Sequence, residues 1–227
     1  MRTRSTILIL FSTCLILQSR TFAQQEDVLA ITHAVIIDGS GRAPLLDGTI
    51  LLHNERVQQI GPASEVPVPK NAQIIDAHGK SVLPGLADMH VHLVGGWDGE
   101  QTDLLSYRRY LNSLLFAGVT VVLDTGNIEP YVLQMRQEIA ADRLTGPRIY
   151  CVGSIVGGPD PIWPPSSQAV VSESQLRRIV AKKKEDKVDL VKAYVGLSDV
   201  MVEALSKRGK DGRVAGGNRP MASEWIK

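Results

Sequence analysis

Between residues 28 and 83 the apolar positions come in short alternating bursts broken by turn-forming residues. "VLAITHAVIIDGSG" alternates and ends in Asp-Gly-Ser-Gly. "DGTILLHNERVQQIG" sets two apolar runs around "HNE", and "AQIIDAHGKSVL" sets another pair around "AHG". Period-two alternation with frequent turns predicts short strands, assembled as a small β-sandwich or an open β-structure. The prolines of "VPVPKN" (66–71) suit an edge or a loop, where a missing N–H does no harm.

After Pro84 the pattern changes. "GLADMHVHL" reads as a strand, and 103–118 carries apolar residues at helical spacing up to Gly118. "VTVVLDTG" is a buried-type strand, followed by a helix that the pattern carries to Gly146. "RIYCVGSI" predicts a third strand and "SESQLRRIVAKKKED" a helix. "VDLVKAYV" predicts a fourth strand and "SDVMVEALSKRG" a helix with Ser198 as N-cap and Gly209 as its stop. Strands alternating with helices imply right-handed βαβ units on a parallel sheet, and four such units are half of an eight-fold barrel. The predicted fold is α/β: the N-terminal half of a (β/α)8 TIM-type barrel over 84–209, with a small β-sandwich segment over 28–83.

The two ends read differently. Residues 1–23 open with two arginines, then carry an apolar run of about 12 residues and a Thr-Phe-Ala that fits a signal-peptidase site. That run is short for a bilayer span, so a cleaved secretory signal is expected, with an uncleaved anchor as the alternative. The expected location is periplasmic or extracellular, with no stable membrane span after cleavage. Cleavage leaves Cys151 as the sole cysteine, so no intramolecular disulfide is expected. The stretch 210–227 has little apolar pattern and reads as an irregular tail.

Composition narrows the class. The 227 residues are 44% hydrophobic and 22% charged, enough apolar material for a core. A net charge of +1 argues against nucleic acid as a partner, since no basic stripe is available to neutralise phosphates. The charge run "KKKED" (182–186) reads as a solvated helix end.

The candidate chemistry centres on "LPGLADMHVHL" (83–93). Side chains two apart on a strand share a face, so His90 and His92 project together, with Asp88 on the same side. Two imidazoles so placed can reach one divalent metal, or they can simply pack at a strand end. His33, His53 and His78 lie in the β-rich segment and read as surface or turn residues. Asp124 ends the second barrel strand, where it either orients a ligand or bonds within the strand-to-helix turn. Trp163 and Tyr194 either line a substrate pocket or pack near the barrel mouth.

"GKSVLPGLADMHVHL", with "VIIDGSG" and "VQQIG" before it, closely resembles the metal-dependent amidohydrolase superfamily. The likeness is greatest to the branch containing imidazolonepropionase and secreted Xaa-Pro dipeptidase-like members. It continues through "FAGVTVVLDTGN" (116–127), "GPRIYCVGSIVGG" (146–158) and "VDLVKAYVGLS" (188–198), and so covers nearly all of 28–209. The resemblance implies a divalent metal, commonly zinc, as one or two ions at the C-terminal ends of the barrel strands, with His90 and His92 as first-strand ligands. It implies hydrolysis of C–N bonds other than ordinary internal peptide bonds, in small-molecule substrates such as cyclic amides or dipeptides. Lys192 matches the family's Asp-x-x-Lys pattern, in which a carboxylated lysine bridges two metals; a lysine reaching solvent is the alternative.

The same resemblance names residues that the sequence does not contain. The family pattern continues with later-strand histidines and an eighth-strand aspartate acting as general base. Here no histidine follows His92, and Gly216 or Gly217 stands near the next expected ligand. The reading from sequence is thus a C-terminally truncated hydrolase with no assignable general base. The alternative is a non-catalytic fragment, or a metal-binding subunit whose open barrel edge is covered by an oligomer or partner.

Overall fold

A computed structural model describes residues 28–93 and 105–210, so the expected leader lies outside the described residues, as does the expected tail apart from Lys210. Contacts divide the chain into two units that meet at Pro84 and Gly85. Among the described residues no helix is long and apolar enough to cross a membrane.

In the first unit the predicted alternation becomes one sheet. Its strands are β1 (Val28–Ile36), β2 (Leu45–His53), β3 (Arg56–Pro62), β4 (Gln73–Asp76) and β5 (Ser81–Val82). The order is β3-β2-β1-β4, with β5 also pairing β1. The β1–β2 and β2–β3 pairs are antiparallel, whereas β4 and β5 run parallel to β1. The "HNE" turn is a tight hairpin with Asn54 at φ 48° and Glu55 at φ 62°, the left-handed pair that a type I′ turn requires. Alternate β1 residues Val28, Ala30, Ala34 and Ile36 are buried against Leu51, Val66, Ile50 and Ala77. What corresponds to the expected small sandwich is therefore a single five-stranded layer.

The second unit follows the β/α rhythm. Strands β6 (Leu86–Val91), β7 (Val119–Asp124) and β8 (Arg148–Cys151) form a parallel sheet in chain order. Helices α1 (Tyr107–Phe116) and α2 (Glu129–Ala140) connect them. Leu111, Val122, Val132, Met135, Ile149 and Cys151 are buried together between sheet and helices. Next come β9 (Ile155–Gly157), a 3₁₀ turn at Pro164–Ser166, β10 (Ser167–Ala169), α3 (Glu173–Glu185) and α4 (Asp199–Lys210). β10 pairs parallel to β9, so the Pro/Gly-rich loop after the third strand returns to it. Ser172 caps α3 by accepting the Gln175 N–H.

Four expectations need correction. The second helix stops at Ala140, not Gly146, because the chain turns left-handed at Asp142 (φ 55°) and the Arg143 and Leu144 amides fold back onto the Glu138 carbonyl. The third strand is split into β8 and β9 by Gly153 at φ 63°. The fourth strand is reduced to one bridge, Val156 with Ala193, since the break in the third strand interrupts the ladder it would have joined. Helix α4 runs one residue past Gly209.

Candidate metal-binding face

Asp88 and His90 stand on β6, and His92 follows its last residue. The pairing with β7 slips between Asp88 and Val91, yet the two imidazoles remain neighbours, with ring centroids 5.5 Å apart. Asp88 accepts the backbone N–H of His90 at 3.1 Å, so its carboxylate supports the strand end instead of pointing away from it.

Hydrogen bonds fix how His92 is presented. Its Nδ1 lies 2.8 Å from the Gly126 carbonyl, which can only accept, so Nδ1 carries the proton. Nε2 is then the atom with the lone pair, and the Thr125 hydroxyl approaches it at 3.4 Å. A histidine whose far nitrogen is tied to a backbone carbonyl is oriented as metal-ligating histidines usually are. Gly126 is itself constrained: a Cβ there would lie 2.6 Å from Ile155 Cδ1 and 3.2 Å from His92 Cε1.

Asp124, at the end of β7, is fully buried. Its carboxylate accepts from the Leu93 N–H at 3.1 Å, the Gly126 N–H at 3.0 Å and the Asn127 side-chain amide at 2.6 Å. Burial pushes the Asp124 carboxyl above its ordinary pKa, against these three donors and the nearby charge of His92. Of the two roles open from sequence, the geometry shows the turn-bonding one. Asp124 ties the residue after His92 to the β7 turn and so braces the histidine pair indirectly. Asn127 is equally buried, and its Oδ1 has no partner.

Lys192 is half-buried, with its ammonium 5.1 Å from the centre of the Tyr194 ring. Burial lowers its pKa, opposed by the negative charge of Asp124. His90 is likewise held below its ordinary value, by burial first and then by the charges of Lys192 and His92, with Asp88 opposing. His90, His92, Lys192 and Asp124 therefore share one electrostatic environment. Trp163 is half-buried at the start of the 3₁₀ turn, its carbonyl accepting from the Ser166 N–H, and no described contact joins it to this group.

The donor set suits a divalent ion as far as it goes: two adjacent imidazoles, of which His90 is biased to the neutral form, and a lysine biased away from the ammonium form. Among the described residues, no three His, Cys, Asp or Glu side chains come together as a metal cluster. In the first unit, His33 and His78 are exposed and His53 is half-buried, with His33 bonded to Asp47 at 2.9 Å.

Sequence reasoning missed two residues. Lys183, placed there in a solvated charge run, is 1% exposed. Its spacing from Leu176 and Val180 on α3, seven and three residues, was the available signal. Asn127 gave no such signal, because nothing local marks a turn amide as buried.

No family model matches the sequence. The chain is 28% identical over 115 residues to an imidazolonepropionase of Idiomarina loihiensis, covering 51% of this chain and 27% of that protein. It is 32% identical over 93 residues to an enamidase of Eubacterium barkeri, covering 40% of this chain and 23% of that protein. Its fold matches the crystal structure of phenylurea hydrolase B with a TM-score of 0.64 and 25% identity, over 81% of this chain and 54% of that one. The chain thus spans about half the length of the solved structure and about a quarter of each relative.

Proposed function

Because the chain belongs to the amidohydrolase superfamily, we propose that His90, His92 and Lys192 form the opening part of a metal-dependent hydrolase site. Its substrates are small molecules with a hydrolysable C–N bond, cyclic amides or dipeptide-like compounds. The observation that carries this reading is the His92 geometry: Nδ1–H is spent on the Gly126 carbonyl, which leaves the lone pair on Nε2, in a ring whose centre lies 5.5 Å from that of His90.

A divalent ion, zinc in the first instance and as one or two ions, supplies Lewis acidity that makes water nucleophilic near neutral pH and polarises the carbonyl under attack. The protein's own contribution is orientation. Asp124 holds the Leu93 amide and the β7 turn, which keeps the His92 ring and its acceptor in register. Lys192, biased toward the neutral amine by burial, is suited to take up carbon dioxide and become an anionic oxygen donor. Tyr194 covers the Lys192 side chain and with Trp163 is assigned to substrate contact. Residues 1–23 are assigned to export, to the periplasm or the cell exterior.

A second reading is a metal-binding protein without turnover of its own, completed by a partner or a second copy. It is favoured by the absence of a third His, Cys, Asp or Glu ligand among the described residues. Cobalt(II) titration of the purified chain, followed by visible spectroscopy, tests the site, and hydrolysis assays on dipeptides and lactams separate the readings. Binding that vanishes in His90→Ala and His92→Ala supports the site. Equal binding in these variants and the parent sinks it. Binding without turnover selects the second reading.

A further inference from the structure

Among the described residues, the most deeply buried cation of the second unit is Lys183 on α3. Lys183 occupies the buried stripe of α3 after Leu176 and Val180, where packing alone calls for an aliphatic residue. Its ammonium contacts Glu129 Oε2, donates to the carbonyls of Val152 at 2.9 Å and Ser154 at 2.6 Å, and lies 3.2 Å from Ser154 Oγ. The carbonyl between them, Gly153, accepts the Asn127 N–H at 2.9 Å. Three successive carbonyls at the break between β8 and β9 are therefore held by groups other than a neighbouring strand.

The same knot grips the amide side. Glu129 Oε2 accepts the Ser154 N–H at 2.9 Å and its hydroxyl at 2.8 Å, and Gln168, on β10, donates to that hydroxyl at 2.7 Å. Beyond the break, the Val156 N–H donates to the Lys192 carbonyl and the Tyr194 N–H donates to the Val156 carbonyl, both at 2.9 Å. The path of β9 thus determines where the Lys192 backbone lies.

We propose that Lys183 is a positioning residue: by pinning the Val152 and Ser154 carbonyls against Glu129, it sets the course of β9 and hence the placement of Lys192. The functional consequence rests on the proposed ligand role of Lys192, whereas the strand placement stands on the hydrogen bonds alone. The competing account is that Lys183 only neutralises a buried carboxylate. In that case removing both charges together restores the local structure, because a neutral pair can replace a buried ion pair without loss.

Hydrogen exchange of the Val156 and Tyr194 amides in the full chain decides between the two. Lys183→Met and the double variant E129Q/K183M are compared with Val180→Ala, which weakens the same helix without touching the knot. Protection of both amides should fall by roughly tenfold or more in the single and double variants, beyond the fall in Val180→Ala. Wild-type protection in the double variant, or an equal loss in Val180→Ala at matched stability, overturns the proposal. The cobalt(II) spectrum is recorded in parallel and should change in E129Q/K183M but not in Val180→Ala. A parent chain that binds no cobalt counts against the metal site, while the exchange data still decide the role of Lys183.

Discussion

Gly153→Ala is the sharpest probe of the buried knot. Gly153 sits at φ 63°, and a Cβ there would overlap Glu129 Oε2 and lie 2.8 Å from both Cδ and Cγ of that side chain. A glutamate end would ordinarily swing aside, but this one is fixed by Lys183 and by both donors of Ser154. Two costs add: about 1–2 kcal/mol for placing a side chain in the left-handed region, and about 1–3 kcal/mol for overpacking against an immobile group. Gly118 supplies the control, since it has φ 79° and nothing within 4 Å of a built Cβ. Gly118→Ala should carry only the first cost, about 1–2 kcal/mol. Urea unfolding of both variants, followed by far-UV circular dichroism, measures the difference. Equal losses at the two glycines would refute the claim that Glu129 is held in place.

Asp124→Ala leaves three donors without an acceptor, and at about 1–3 kcal/mol for each stranded group a loss of at least roughly 3 kcal/mol is expected by denaturant titration; under about 1 kcal/mol would show that Asp124 does not brace the turn. Leu111→Ala opens a cavity in the core between α1, α2 and the sheet at a site with no exposed surface, so a loss of about 2–5 kcal/mol is expected. Burial pushes the Cys151 thiol up to about 11 from 9.0. The fold favours the protonated form, so this contribution is whole below pH 9 and is lost as pH rises through 11. Stability of Cys151→Ala should therefore fall less steeply than that of the parent between pH 9 and 11, and parallel slopes would contradict the assignment. The native thiol should also resist an aromatic disulfide reagent at pH 8 until the chain unfolds.

The periodic elements were readable because period-two and period-3.6 patterns report burial directly, as in β1, β7 and α3. The "HNE" turn and the Ser172 cap were local signals of the same kind. The break at Gly153 was not readable, since "RIYCVGSI" alternates like an unbroken strand and the groups that capture its carbonyls lie on α3 and in the turn before α2. Lys183 was hidden by its neighbours: Lys182 pairs with Asp186 in solvent, so the run looks solvated although one member turns inward. At the candidate site, alternation brought His90 and His92 together. The tautomer of His92 depended on the Gly126 carbonyl, a partner 34 residues away, and Asp124 could not be assigned until its three donors were placed.

The parallel order β6-β7-β8 has a temporal meaning during synthesis. Every group that orients His92, from Asp124 to Gly126, lies on the very next strand and its turn. At about 5–20 residues per second, these partners are synthesised several seconds before Lys192. The residues that orient the histidine pair thus all precede Lys192 in the order of synthesis, and the face they build needs nothing from the chain beyond Gly126 to fix the His92 ring.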